Sequence, residues 1–119
     1  MSVPVHTLPK AERLCGKTTT ASLLSRGKWT STRHIKCCHA SSPEGAECSR
    51  ILVSVPKKFF KRAVKRNLLK RRMREAYRLQ KELLGEALHE MMFVYNSPEV
   101  ADSAAIREEI ATILDRIAH

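Results

Sequence analysis

Residues 57–78 read KKFFKRAVKRNLLKRRMREAYR, and this stretch is far more basic than the rest of the chain. Eleven of its 22 residues are Lys or Arg, and Glu75 is its one acidic residue. Between Phe60 and Leu88 the sequence has no proline, and Gly85 is the only glycine. Because proline and glycine disfavour helix interiors, the sequence predicts one long helix over residues 60–88.

Projected at about 100° per residue, this helix separates polar from apolar side chains, so we expect it to bury one side and present the other. Lys65 and Arg72 fall within the apolar arc, and we expect them at its boundary, where long stems reach water. Arg66 lies at the edge of the polar arc. The polar arc contains Asn67, Lys70, Arg71, Arg74, Arg78 and Lys81. The apolar arc contains Leu68, Leu69, Met73, Ala76, Leu79 and Leu83.

The sequence before this helix predicts two strands and a short helix. Residues 51–55 form a β-branched run, and residues 34–40 are a weaker strand candidate. The turn-like segment SSPEG at residues 41–45 lies between them, so we expect an antiparallel hairpin with a long loop. Upstream, residues 18–25 are expected to form a short helix that ends at Gly27.

After the basic helix, residues 91–95 (MMFVY) predict a further buried strand. Apolar residues then recur at helical spacing from Ile106 to Ile117, which predicts an amphipathic helix with an acidic outer face. Ser97 or Asp102 is expected to cap its N-terminus. A strand, a helix and a strand in succession form a crossover unit, so the basic helix should cover one face of a small sheet.

The chain has 119 residues and a mass of 13.5 kDa, so we expect a single domain over residues 1–119, with residues 1–10 fraying. No apolar run is long enough to cross a membrane, and residues 1–10 lack the apolar block of a secretory signal. We therefore expect a cytoplasmic protein with reduced cysteines, whose spacing does not suggest a zinc site. The cysteines are Cys15, Cys37, Cys38 and Cys48.

The formal net charge of +10 indicates a polyanionic partner. Residues 57–78 carry +10 by themselves, whereas residues 1–56 carry +5 and residues 79–119 carry −5. A solvated helix face normally mixes acidic and basic side chains, and this face has almost no acid. Nucleic-acid binding is therefore favoured over a solvated face. A membrane-surface or calmodulin-type helix is the third interpretation, with Phe59 and Phe60 as apolar contacts.

Two segments, SVPKK at residues 54–58 and the run at residues 61–78, resemble the signature of the protein subunit of bacterial ribonuclease P. Outside them, residues 12–14 and 26–28 are similar to the family, and the order of elements agrees with it. In the family the motif is Arg-Asn-Arg followed by Lys-Arg and a further Arg. Leu68 departs from this pattern, which removes one charge. The motif positions are occupied by Arg66, Asn67, Leu68, Lys70, Arg71 and Arg74.

The resemblance implies an α+β fold, a small two-layer α/β sandwich with a sheet of about four strands, similar to the second domain of a small-subunit ribosomal protein. It also implies a left-handed strand–helix–strand crossover, against the right-handed rule that holds in about 98% of cases.

The resemblance further implies a subunit of the ribonuclease P holoenzyme, an endonuclease that matures the 5′ end of tRNA. The basic helix would contact the catalytic RNA, and a cleft on the sheet would hold the single-stranded 5′ leader of precursor tRNA. Hydrolysis would be carried out by Mg²⁺ held by the RNA subunit, so we expect no catalytic and no metal-ligating residue in this chain. The implied RNA-binding residues are Lys57, Lys58, Arg62, Arg66, Asn67, Lys70, Arg71 and Arg74.

The family's leader cleft uses aromatic side chains, because stacking on bases tolerates any sequence. The corresponding positions here lie near Thr20, Leu24 and His39, and only His39 has a ring. We therefore expect a leader contact that is weaker or shifted toward Trp29. A structural RNA-binding protein of the ribosomal type, without a nuclease role, is the alternative.

Overall fold

A computed structural model describes residues 17–46 and 48–118 of the chain. The expected fraying of residues 1–10, the family-like residues 12–14 and Cys15 lie outside these ranges. The helices are α1 (Lys17–Arg26), α2 (Ala63–Gln80) and α3 (Ser103–Ala118), and a 3₁₀ turn (Lys81–Leu84) follows α2. The strands are β1 (Lys28–Ser31), β2 (Ile35–Ser41), β3 (Arg50–Ser54) and β4 (His89–Tyr95).

The four strands form one sheet in the order β1-β2-β4-β3. Strand β4 pairs antiparallel with β2 and parallel with β3, so β3, α2 and β4 form the predicted crossover. The α+β fold with a four-stranded sheet and the order of its elements are thereby confirmed.

The hairpin predicted between residues 34–40 and 51–55 is wrong, because β4 lies between β2 and β3. Six of the seven residues of β4 are buried. Burial stabilises such a strand most at the centre of the sheet, where both of its faces are covered. The hairpin that does form joins β1 to β2, and it places Trp29 opposite Cys38. Only residues 32–34 separate its two strands, so its loop is far easier to close than the predicted one.

Helix α2 is shorter at both ends than the predicted helix at residues 60–88. At its start, residues 57–59 form a turn, and Arg62 keeps an extended backbone as the N-terminal flanking residue. At its end, the helix tightens into the 3₁₀ turn, which stops at Gly85 with a φ of +74°. Glycine adopts this left-handed backbone at little cost, so Gly85 acts as the helix terminator.

The sheet divides the apolar core into two clusters, because alternate residues of each strand point to opposite faces. One face packs against α2 and α3, and its cluster includes Ile35, Cys37 and Phe93 together with Leu69 and Met73 of α2. The other face carries a smaller cluster, to which α1 contributes one fully buried side chain. The residues of that cluster are Leu23, Cys38, Met92 and Val94.

The start of α3 is capped by Asp102, whose Oδ1 accepts a hydrogen bond of 2.8 Å from the N–H of Ala105. Ser97 does not cap this helix, since its hydroxyl accepts a hydrogen bond from the N–H of Glu99 in the preceding loop. The expected acidic outer face is not found. The exposed charged residues of α3 are Arg107, Glu108, Asp115 and Arg116.

Candidate nucleic-acid interface

The basic residues of α2 and of the turn before it form a stripe on the outer surface of the molecule. The helix buries Leu69, Met73 and Ala76 against the core, which turns the basic side outward as predicted. We call this surface the basic stripe. Its exposed members are Lys57, Lys58, Lys61, Arg62, Lys65, Asn67 and Arg71. Its partly exposed members are Lys70, Arg74 and Arg78.

Arg66 has a different environment from the other basic residues of the helix. Its Nη1 donates hydrogen bonds of 2.8 Å and 2.7 Å to the carbonyl oxygens of Phe60 and Lys61. These bonds fold the guanidinium back over the entrance to α2, where it fixes the angle between the helix and the preceding turn. We infer that Arg66 positions the stripe, and its guanidinium has further N–H groups beyond those on Nη1.

The predicted apolar arc of α2 is only partly buried, and its exposed part borders α3. Leu79 is 40% exposed and Leu83 is 45% exposed. Tyr77, which the predicted arc does not include, is buried in the core. Arg72 lies at the boundary as predicted, and its Nη1 donates a hydrogen bond of 2.7 Å to the carbonyl of Ala101. Lys65, by contrast, is exposed.

Between α2 and the first turn of α3 lies a groove of about 630 Å³, which we call the α2–α3 groove. Leu68, the position at which the chain departs from the family motif, lies here and is half-buried. The apolar lining residues are Leu68, Ala76, Leu79 and Ala104. The polar lining residues are Arg71, Arg72, Glu75, Ser103 and Arg107.

Glu75, the one acidic residue of α2, lies among the residues of the stripe and is paired with Arg78. Its carboxylate accepts two hydrogen bonds from the Arg78 guanidinium one turn later. The hydrogen bond to Glu75 raises the pKa of the Arg78 guanidinium, which therefore stays charged. The pair neutralises one end of the stripe and leaves the charge concentrated between the turn before α2 and Arg74.

The second candidate surface is the side of the sheet on which α1 lies. We call it the open sheet face, and Trp29, Lys36, Cys38 and Val94 lie on it by the strand register. Cys38 and Val94 are buried in the cluster that includes Leu23 of α1, so the accessible part of this face is at Trp29 and Lys36. Trp29 is 49% exposed, and the Lys36 ammonium lies 5.2 Å from the centre of its ring. An exposed indole beside a cation suits stacking on a base that is joined to a phosphate.

Three of the four predicted cleft residues lie on the α1 side of the sheet. Thr20 and Leu24 belong to α1, and Leu24 is 44% exposed. His39 is separated from them, because it pairs with Met91 and so points to the face that carries the main core. Burial lowers the pKa of the His39 imidazole, and the positive potential of His89 and Lys28 adds to this effect.

Lys36 is a further residue of this face, and it does not belong to the family motif or to the predicted cleft. In the predicted strand at residues 34–40 it stands between Ile35 and Cys37, which face the core. The strict alternation of a strand therefore sends Lys36 to the opposite face, and this signal was available in the sequence.

Two contacts hold α1 close against the open sheet face. The Arg26 guanidinium pairs with the buried carboxylate of Glu90 on β4 and donates a hydrogen bond of 2.8 Å to the carbonyl of Ser41. At Gly27, a Cβ atom would lie 2.5 Å from the Cys38 sulfur. A residue without a side chain is therefore required where the chain leaves α1 and approaches β2.

Among residues 17–46 and 48–118, no group of three or more His, Cys, Asp or Glu side chains is arranged to hold a metal ion. Cys37 and Cys38 are buried free thiols, and Cys48 is half-buried. Within the same part of the chain, no helix is long and apolar enough to span a membrane.

Comparisons with known proteins agree with the fold and with the family that the motif on α2 resembles. A family model described as Ribonuclease P matches residues 8–118. The ribonuclease P protein component of Porphyromonas gingivalis is 36% identical over 124 residues, which covers 98% of this chain and 90% of that protein. The corresponding protein of Ralstonia pickettii is 33% identical, with 93% of this chain and 82% of that protein covered.

Two solved structures have the same fold. The RNase P protein of Staphylococcus aureus superposes with a TM-score of 0.78 at 20% identity, over 90% of this chain and 95% of that one. The RNase P protein of Thermotoga maritima gives a TM-score of 0.77 at 25% identity, over 89% and 97% of the two chains. The family model, the sequence relatives and the basic helix together show that this chain belongs to the ribonuclease P protein family.

Proposed function

We propose that this chain is the RNA-binding subunit of a ribonuclease P holoenzyme and that it binds the catalytic RNA through the basic stripe. The observation that carries this proposal is the exposure of that stripe, whose one acid is already paired with Arg78. A folded protein tolerates such crowding of like charge when a polyanion neutralises it. Membership of the family supports the identity of that polyanion.

The stripe offers two kinds of phosphate ligand. Arg62, Arg71 and Arg74 carry planar guanidinium groups that can bind two phosphate oxygens at once. Lysine ammonium groups, at Lys70 and in the turn before α2, act as point charges beside them. Asn67 supplies both a donor and an acceptor among these cations. Together they form a row of phosphate ligands along the helix and the turn before it.

The open sheet face is the proposed site for the single-stranded 5′ leader of precursor tRNA. Trp29 provides a stacking surface and Lys36 a neighbouring cation, while Thr20 and Leu24 border the face from α1. Such a site would accept leaders of varied sequence, because every base has a face that can stack. His39 is outside this proposal, since it points to the other side of the sheet.

In this proposal, cleavage belongs to the RNA subunit. Magnesium ions held by that RNA would activate water and stabilise the leaving oxygen, and this chain would position the RNA and its substrate. The expected place of action is the bacterial cytoplasm, where precursor tRNA is made.

Reconstitution with the ribonuclease P RNA tests both surfaces. The chain should restore precursor tRNA cleavage at low Mg²⁺, and each of K70A, R71A and R74A should reduce the slope of log affinity against log salt by about one unit. Trp29→Ala should weaken binding of precursor tRNA but not of mature tRNA. Arg33→Ala, an exposed arginine outside both surfaces, is the control.

The two alternative functions predict different outcomes of these binding and cleavage measurements. Tight RNA binding without restored cleavage would indicate a structural RNA-binding protein of the ribosomal type. Binding to anionic vesicles by the RNA-free protein, with a flat salt dependence for RNA, would contradict the proposal and favour a membrane-surface ligand.

A further inference from the structure

The α2–α3 groove lies beside the basic stripe, but its lining combines apolar side chains with arginines. We propose that it binds one unpaired nucleobase of the RNA that docks on the stripe. This inference rests on the proposed function and extends it from phosphate contacts to a base contact.

The size and lining of the groove fit a planar apolar group. Its volume of about 630 Å³ lies within the range of small-molecule sites. Leu68 and Leu79 line it from α2, and Ala104 lines it from the first turn of α3. Leu79 is 40% exposed, so an occupant that covered it would remove apolar surface from water.

The charges around the groove favour a nucleotide over a neutral ligand. Arg71, Arg72 and Arg107 all line it, and Arg72 uses one nitrogen for the carbonyl of Ala101. A guanidinium has five N–H donors, so Arg72 retains others for a phosphate or a base edge. Glu75, the one acid in the lining, is paired with Arg78.

The same features favour an unpaired base over a duplex. A paired and stacked base has both faces covered, so a duplex would present phosphates, 2′-hydroxyls and base edges, which are polar and would not cover the apolar side chains of Leu68 and Leu79. An unpaired base can enter the groove while its own phosphates reach Arg71, which the groove shares with the basic stripe. Continuity between the two surfaces lets one RNA segment use both.

Leu68 distinguishes the groove of this chain from that of a chain with the family motif. The family motif has arginine at this position, whereas here a half-buried leucine lines the groove. The substitution removes a cation from the signature and adds apolar surface to the lining. The loss of one phosphate contact is thus offset by a surface on which a base can lie.

The test fills the groove without changing its charge. Ala104→Leu adds a larger side chain at an exposed lining position, and Ala87→Leu makes the same change at an exposed position outside the groove. The ribonuclease P RNA would be probed in complex with each variant by dimethyl sulfate, which modifies unpaired bases, and by hydroxyl radicals, which report backbone contacts. Leu79→Ser is the second groove variant, and thermal unfolding checks that each protein is folded.

We expect the wild type and A87L to protect one short unpaired segment from dimethyl sulfate. A104L and L79S should leave those bases reactive and weaken RNA binding about tenfold, while the hydroxyl-radical protections along the stripe persist. Identical base protections in all four proteins would overturn the base site and leave RNA binding intact. If the wild type fails to bind the RNA at all, both this inference and the proposed function fall.

Discussion

Glu109 shows how one carboxylate can join the β1–β2 hairpin to α3. It accepts hydrogen bonds from the Thr32 hydroxyl at 2.6 Å and from the His34 backbone N–H at 2.7 Å. Its other oxygen lies 2.6 Å from Nδ1 of His34. Burial by itself would raise the pKa of Glu109, but these hydrogen bonds outweigh it, and the pKa lies below its ordinary value.

The free energy of unfolding should therefore depend on pH through Glu109. A folded-state pKa below the unfolded value of about 4.3 means that the stabilisation is present above that pH and is lost as pH falls through the folded pKa. At pH 7 we expect Glu109→Gln to lower the unfolding free energy by about 1–3 kcal/mol and to flatten its decline below pH 4.3.

Urea unfolding from pH 3 to pH 7 measures both effects. Glu108→Gln is the matched control, because Glu108 is the exposed neighbour on the same helix turn. Equal pH dependence in E109Q and the wild type would show that another group controls acid stability.

At the scale of the element, the entrance of α2 depends on Arg66. Because its guanidinium binds the carbonyls of Phe60 and Lys61, Arg66→Ala should destabilise the RNA-free protein by about 1–2 kcal/mol. Lys65→Ala, at the exposed neighbouring position, should leave stability nearly unchanged. Urea unfolding without RNA is the measurement. If R66A unfolds like the wild type and loses only RNA affinity, Arg66 is a phosphate ligand and not a positioning residue.

The elements of this fold could be predicted far better than their pairing. Glycine and proline mark the ends of the helices, and apolar spacing marks their buried sides, so α1, α2 and α3 follow from local sequence. The position of β4 does not follow, because strand order depends on which segment gains most from burial on both faces. The short strand β1 has four residues with none fully buried, which leaves little apolar pattern to detect.

The candidate site also has one part that local sequence predicts and another that depends on tertiary packing. The motif on α2 predicts the basic stripe, since every residue of it comes from one helix and the turn before it. The α2–α3 groove combines Leu68 with Arg107, which are brought together only by the packing of two helices. The prediction that His39 lies in the cleft is wrong, because His39 alternates with Ile35 and Cys37 and so points to the same core-facing side of β2.

At the scale of the whole molecule, charge is segregated along the sequence. The charge of +10 on residues 57–78 already includes Glu75, the one acidic residue of this segment, so the segment itself supplies little compensation. We expect the melting temperature of the RNA-free protein to rise when sulfate screens this repulsion, and relief of about 1 kcal/mol corresponds to ~4 °C.

A triple variant, K70Q/R71Q/R74Q, separates this effect from the general stabilising action of sulfate, which both proteins share. Thermal unfolding in matched concentrations of sulfate should show a larger increase for the wild type. Parallel increases in the two proteins would mean that the stripe contributes no net repulsion in the folded state.

The position of β4 also governs when the protein can fold during synthesis. Its partners β2 and β3 come earlier in the chain, and both must wait for residues 89–95 before the sheet can close. A nascent chain on the ribosome therefore completes its basic segment before it can form the sheet that supports that segment. The long separation between paired strands favours slow folding, so newly made chains pass through a stage in which their cations are available while their tertiary structure is incomplete.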